Sequence, residues 1–168
     1  MTKRASSAFV KVTKSLIPEY LENQKVKQME HYIQHGSTTT YQHCINVMAV
    51  SFIISKIFGI LGFKIDMMVL LVGALLHDFY LYDWHDGRWR KEGLHCFSHP
   101  QVAKENAKKY FNIDAKTSNV IESHMFPATL KHPMKSKEAL IVNMADKYCA
   151  IIENIMPKKS YAVVKMEV

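Results

Sequence analysis

Ala74-Leu75-Leu76-His77-Asp78-Phe79-Tyr80-Leu81-Tyr82-Asp83-Trp84 is the stretch around which the rest of the chain can be read. An apolar run from Met67 to Leu76 ends in a histidine followed directly by an aspartate. Such a run of Met, Val, Leu, Gly and Ala reads as a buried helix. The His-Asp pair then sets an imidazole and a carboxylate at the edge of the core. Successive helical residues point about 100° apart. Both groups therefore reach one point only near the helix terminus, where the chain turns. Imidazole nitrogen and carboxylate oxygen are a common ligand mix for Zn, Fe and Mn. A lone His-Asp dipeptide is usually an ordinary surface pair, so the remaining sequence has to decide.

The chain has 168 residues, enough for one domain with a sizeable core, and 48% are hydrophobic, which excludes a disordered chain. The net charge is +7, from 22 Lys and Arg against 15 Asp and Glu. Such an excess is most simply a solvated surface; an anionic partner, a phosphorylated small molecule or nucleic acid, is the sharper reading. Much of the charge lies near the ends, at Lys3, Arg4, Lys11, Lys14, Lys158, Lys159 and Lys165. That argues against a dedicated nucleic-acid stripe. Cys44, Cys96 and Cys149 form no CxxC pair. Their odd number, without a signal-peptide pattern, points to a reducing cytoplasm. The longest central apolar run reads as too short and too interrupted to cross a bilayer. Nothing in the sequence sets the oligomeric state.

The pattern is helical almost throughout, without repeats or an interdomain linker. A short helix is expected over 5–16. Pro18 suits the first turn of a second, over 19–34, which Gly36 stops. Ser37 to Thr40 offer N-caps for a long helix over 40–58, with His43 in its first turn and Gly59 and Gly62 at its end. Asp66 is a plausible cap for the helix that carries His77 and Asp78. Residues 80–97 hold both tryptophans and several charges, and read as an ordered loop beside the site. Ser98 is expected to cap a helix over 99–110, Asp114 one over 114–124, and Ser136 one over 137–154. The tail from Tyr161 is a short strand or docked coil. The expected organisation is N-terminal helices over 1–36 packed on a core domain over 37–157, with a tail over 158–168.

A single histidine beside an apolar stripe is usually a core or rim residue with its hydrogen bonds satisfied. Asp146 is harder to set aside, because a carboxylate in an apolar helical stretch is costly to bury unless paired, protonated or metal-bound. The ordinary explanation is an ion pair with Lys or Arg, but adjacent Lys147 points to another face. The joint arrangement is more specific. His43 opens one helix, His77-Asp78 closes the next, His99 opens another, His124 closes another, and Asp146 lies inside the last. A bundle can turn all of these toward one pocket.

The order His43, Leu-Leu-His77-Asp78, Ser-His99-Pro, Glu-Ser-His124 and Ala-Asp146-Lys-Tyr resembles the HD-domain superfamily of metal-dependent phosphohydrolases, over about residues 40–150. The resemblance implies an all-α single domain, a helical bundle with a metal site at its centre. Its His…His-Asp…Asp skeleton falls on His43, His77, Asp78 and Asp146. Two-metal members add two histidines, which fall on His99 and His124. Asp78 would bridge a first metal held by His43, His77 and Asp146 to a second held by His99 and His124. Two such metals lower the pKa of a water and neutralise charge on a phosphoryl group, and Asp146 would orient that water. Fe or Mn is the expected metal, with Zn also fitting the ligands. The chain is similar to small bacterial HD proteins that hydrolyse dinucleoside polyphosphates, but the Phe79 to Trp84 extension departs from them and looks more like another group of small HD-domain hydrolases. The Gly-Tyr-Pro motif of cyclic-di-GMP phosphodiesterases is absent after His124, and so is the Glu-Asp pair of guanosine-tetraphosphate hydrolases.

Outside the ligand set, His95 is read either as a surface histidine or as a phosphate contact or general acid. Arg88, Arg90, Lys91 and Lys104 are candidate phosphate binders. Trp84 and Trp89 either stack on a base or pin the loop, with pinning favoured. The function read from the sequence is metal-dependent hydrolysis of a nucleotide or other small phosphate ester. The competing readings are a di-iron oxygenase of the same fold and a non-enzymatic nucleotide sensor. Six intact ligands argue against the sensor, which has no need of open metal positions.

Overall fold

The computed structural model describes residues 2–86, 94–155 and 162–164. Its centre is a pair of apolar helices, α4 (Thr40–Ile60) and α5 (Met67–Leu76). Helix α8 (Lys137–Ile155) packs on both, and α7 (Ala115–Ser123) packs on α5 and α8. Helix α6 (His95–Tyr110) lies mainly against α7. The architecture is all-α, with one small hairpin among the described residues. Three predicted caps are in place: the side chains of Asp66, Asp114 and Ser136 accept from the N–H groups of Val69, Thr117 and Ala139. Thr39 caps α4 by accepting from Gln42 N–H.

The N-terminal region departs from expectation. In place of one helix over 19–34 there is a broken series: α1 (Lys3–Leu16), α2 (Pro18–Glu22), α3 (Gln24–Lys27) and a 3-10 turn, Gln28–His31. Asn23 makes the break. Its backbone is extended and its side chain accepts from Lys25 N–H, the local bonding that lets Asn compete with helix continuation. Strand β1 (Ile33–His35) then turns through Gly36, at φ 56°, and pairs antiparallel with β2 (Thr38–Thr39). Phe9, Ile17, Val26 and Met29 from this region join the same buried core as α4 and α5.

Helix α4 is longer than expected and runs through Gly59. It is long and apolar enough, by length and composition, to cross a membrane. Its inward face carries His43 and Asn46 and packs against α5 and α8, the setting of a core helix. Helix α6 starts at His95, not 99, so His95 belongs to a helical first turn. Ser98 donates to the Leu94 carbonyl instead of capping, and Pro100 lies inside the helix. Its missing N–H deprives the carbonyl of exposed Cys96, where water can compensate. The described part of the tail is docked coil: Val163 N–H donates to Asn46 Oδ1, and Val164 is buried.

Gly73 lets Val120 of α7 approach the α5 backbone closely. A Cβ added there would lie 2.5 Å from Val120 Cγ1 and 2.9 Å from its Cβ. Gly73→Ala is expected to destabilise the fold, because overpacking of about 1–3 kcal/mol exceeds a helix-propensity gain of about 1 kcal/mol. Urea unfolding of Gly73→Ala, Val120→Ala and the double variant checks this. The double variant should be more stable than the sum of the two single effects.

Candidate metal centre

Five helices deliver six buried side chains to one point. His43 is in the first turn of α4, and His77 and Asp78 follow the end of α5. His99 is in α6, His124 caps the C-terminus of α7, and Asp146 is mid-way along α8. The donor atoms form two groups. In the first, His43 Nε2 lies 3.1 Å from Asp146 Oδ1, 3.3 Å from His77 Nε2 and 3.7 Å from Asp78 Oδ2. His77 Nε2 closes it at 3.4 Å from Asp78 Oδ2 and 3.6 Å from Asp146 Oδ1. In the second, His99 Nε2 and His124 Nε2 are 2.9 Å apart, and lie 3.2 and 3.6 Å from Asp78 Oδ1. Ligands about 2.1 Å from a common metal are about 3.0–3.5 Å apart in octahedral or tetrahedral arrangements, close to the 2.9–3.7 Å found here.

The ring orientations are fixed from behind. His77, His99 and His124 donate from Nδ1 to the carbonyls of Ala74, His95 and Ile121, at 2.7–2.8 Å. A carbonyl cannot donate, so the proton is on Nδ1 and Nε2 is the inward donor atom. His43 Nδ1 meets the Glu153 carboxylate at 2.8 Å, and Asn46 donates to the other Glu153 oxygen. Backing of this kind sets tautomer and basicity in metal-binding histidines. Asp78 Oδ2 accepts from Gln34 Nε2 at 2.6 Å, whereas buried Asp78 Oδ1 accepts no hydrogen bond. Tyr80 OH in turn donates to Gln34 Oε1. A buried carboxylate oxygen with no donor, facing two imidazole lone pairs, is a donor set that a divalent cation completes. The residues present fit divalent metal, with Asp78 Oδ2 turned to the first group and Oδ1 to the second.

The charges agree with that reading. Burial lowers the pKa of His43, but its bonds to Asp146 and Glu153 outweigh it and push the value up to about 10. His77 is opposed by burial too, yet raised by Asp78. Burial works against the charge on Asp78, but His77 and His99 hold it well below the usual carboxylate range. Asp146 behaves alike, with His43 and His77 outweighing burial. His124, by contrast, is lowered to about 3 by burial and then by His99, so it is neutral. Without metal the first group holds protons that a cation must displace. Loading of this group is therefore expected to release protons and to tighten as pH rises from 6 toward 9. For the metal-free fold the sign is opposite. Raised histidine pKa values stabilise fully below the unfolded value and cease to as pH climbs through about 10. Calorimetric titration in buffers of different ionisation enthalpy checks the proton release; a pH-independent affinity would contradict it.

The second histidine pair opens onto a cleft of about 790 Å³. Asp78, His99, His124 and Asp146 lie on its floor side, and Trp84, Leu94, Met125, Pro127, Ala128 and Ala150 form much of the wall. His95 lines it as well, stacked between Trp84 at 5.1 Å and His99 at 4.6 Å. Lys104 is not brought to the cleft: its amine is 2.7 Å from Glu122, beside another hollow. Arg88, Trp89, Arg90 and Lys91 lie outside the described residues. The sequence reading missed Gln34, His35, Tyr80, Lys147 and Glu153. Lys147 lines the cleft, but its ammonium is spent on the carbonyls of Phe126 and His124.

The sequence matches the family described as HD domain over residues 40–151. The chain belongs to the HD-domain family. No curated protein and no solved structure matches it. Members of this family are generally metal-dependent hydrolases, and the matched span contains all six converging side chains. Gln34, His35 and Glu153, which back or border the site, lie just outside that span, so they belong to this HD domain's own flanks.

Proposed function

We propose that this HD domain is a two-metal phosphohydrolase acting on a nucleotide or other small phosphate ester. The observation that supports it most is Asp78, whose two oxygens face two separate histidine groups within 3.7 Å. His43, His77, Asp146 and Asp78 would hold one metal, and Asp78, His99 and His124 the other. When bound, such metals lower the pKa of a water and neutralise charge on a phosphoryl group. Imidazole and carboxylate ligands suit Fe and Mn, and also Zn.

The chain's own groups have distinct tasks. Glu153 and Asn46 hold the His43 ring, and Gln34 and Tyr80 hold the Asp78 carboxylate. Asp146 has one face toward the histidines and one toward the cleft, where it orients a water. His95 contributes a contact and not a stored proton. Burial, then His99, lowers its pKa to about 4, so it is neutral at neutral pH. Tyr82 OH lies 3.0 Å from its Nδ1, and the ring lines the cleft where a phosphate would sit. Trp84 and the apolar wall face the organic part of the ester.

The test is metal analysis of the purified protein, followed by phosphate release over a panel of nucleotides and simple esters with Mn or Fe. Hydrolysis is expected, and should fall to background after chelation and return on adding metal back. Hydrolysis that persists in metal-free protein would overturn the mechanism. Oxygen consumption by the iron form, without phosphate release, would favour the oxygenase.

A further inference from the structure

Helix α8 buries one face in the core and turns another outward. That outer face carries five large apolar side chains: Leu140, Met144, Tyr148, Ile151 and Ile155. Their exposure rises from 37% at Leu140 to 69% at Ile155. The spacing is four, four, three, four. At 100° per residue these positions fall within about 80° of arc, in a stripe about 22 Å long. The acids of this helix, Glu138, Asp146 and Glu153, are all buried on the other side. Exposed apolar residues scattered singly need no explanation, but a continuous stripe along a whole helix does.

We propose that this stripe is the interface of a two-fold dimer, with α8 packed antiparallel against α8 of a second copy. The pattern is its own complement on reversal. With the axis beside Tyr148, Leu140 meets the partner's Ile155, Met144 meets the partner's Ile151, and the two Tyr148 rings meet each other. An isologous contact requires such self-matching, whereas an unrelated partner does not. The size also fits. Side chains of this class at about half exposure offer on the order of 500 Å² per chain. That is the apolar centre of an interface of about 800 Å² per partner, with Lys147 and Asn154 at the rim. Lys147 and Ala150 also line the catalytic cleft, so the second copy would stand at the cleft's edge.

Analytical ultracentrifugation of the full chain tests this. The wild type should sediment as a dimer at high micromolar concentration and dissociate on dilution. Ile151→Glu with Ile155→Glu should sediment as a monomer with unchanged circular dichroism, because both positions face outward in the single chain. In a Cys96→Ser background, Tyr148→Cys should cross-link to dimer under mild oxidation, whereas Leu140→Cys alone should not. A monomeric wild type, as expected if the chain's own last residues or a membrane surface cover the stripe, would overturn the proposal. A dimer that survives the double substitution would place the interface elsewhere and overturn it too.

Discussion

Asp78→Asn is expected to empty both proposed metal sites while leaving the protein folded. Among the described residues, Asp78 is the carboxylate placed between the two histidine clusters, with Oδ2 toward His43 and His77 and Oδ1 toward His99 and His124. The substituted amide has nearly the same shape and can be satisfied. Its oxygen accepts from Gln34 as Oδ2 does now, and its NH₂ donates to the lone pairs of the second pair. Packing is therefore retained. The bridge is not, because one arm now carries donors in place of a lone pair, and the negative charge is gone. Changes merely behind a ligand weaken metal sites about 10–100-fold, so loss of a shared ligand should exceed that at both. Hydrolysis should fall by on the order of 10³ or more, the scale of losing a group that stabilises developing charge. Metal per chain by mass spectrometry, phosphate release and circular dichroism give the answer. Retention of two metals would mean that Asp78 bridges nothing.

The six converging side chains could be read from the sequence because each sits where local rules are strong. An apolar helix that stops at His77-Asp78, caps at Asp66, Asp114 and Ser136, and a costly carboxylate inside α8 are signals of the local chain. The supporting groups carry weaker signals. Glu153 lies seven residues beyond Asp146, two turns on the same face of α8, and that spacing could have marked it. Near the end of a polar-tipped helix it looks like an ordinary exposed acid, and only the fold shows it buried on His43. Gln34 had no signal at all. It reaches Asp78 because Asn23 breaks the helix and Gly36 turns a hairpin, both long-range in their consequence. Ser98 and Pro100 misled the start of α6, since a good capping pair was used inside the helix. Lys104 was chosen by charge and order along the chain, and neither reports that Glu122 holds it on α6 and α7.

His99→Ala and His124→Ala are each expected to lower metal occupancy from two toward one and to cut hydrolysis at least as deeply as they cut occupancy. Neither ring touches the first group through its rear nitrogen. His99 Nδ1 is tied to His95 and His124 Nδ1 to Ile121, each within its own helix turn. Removing either imidazole therefore leaves His43, His77, Asp146 and Asp78 Oδ2 in place. It leaves the second site with one imidazole and one carboxylate oxygen, too few to hold a divalent ion tightly. His124 is neutral in the metal-free protein, so its loss strands no charge. It does leave a cavity beside the rings of His77 and His99, and a cost of about 2 kcal/mol or more is expected for truncating so buried a side chain. Both histidines line the cleft, but His99 is 5% exposed against 1% for His124, so water fills its place more readily and the structural cost is smaller. The contrast separates packing from chemistry: His99→Ala should lose the metal with little loss in unfolding midpoint. His124→Asn, which restores most of the volume, should recover stability without recovering the second metal. Should the wild type hold a single metal that neither substitution disturbs, the second site does not exist, and these two histidines would be phosphate contacts on a one-metal centre.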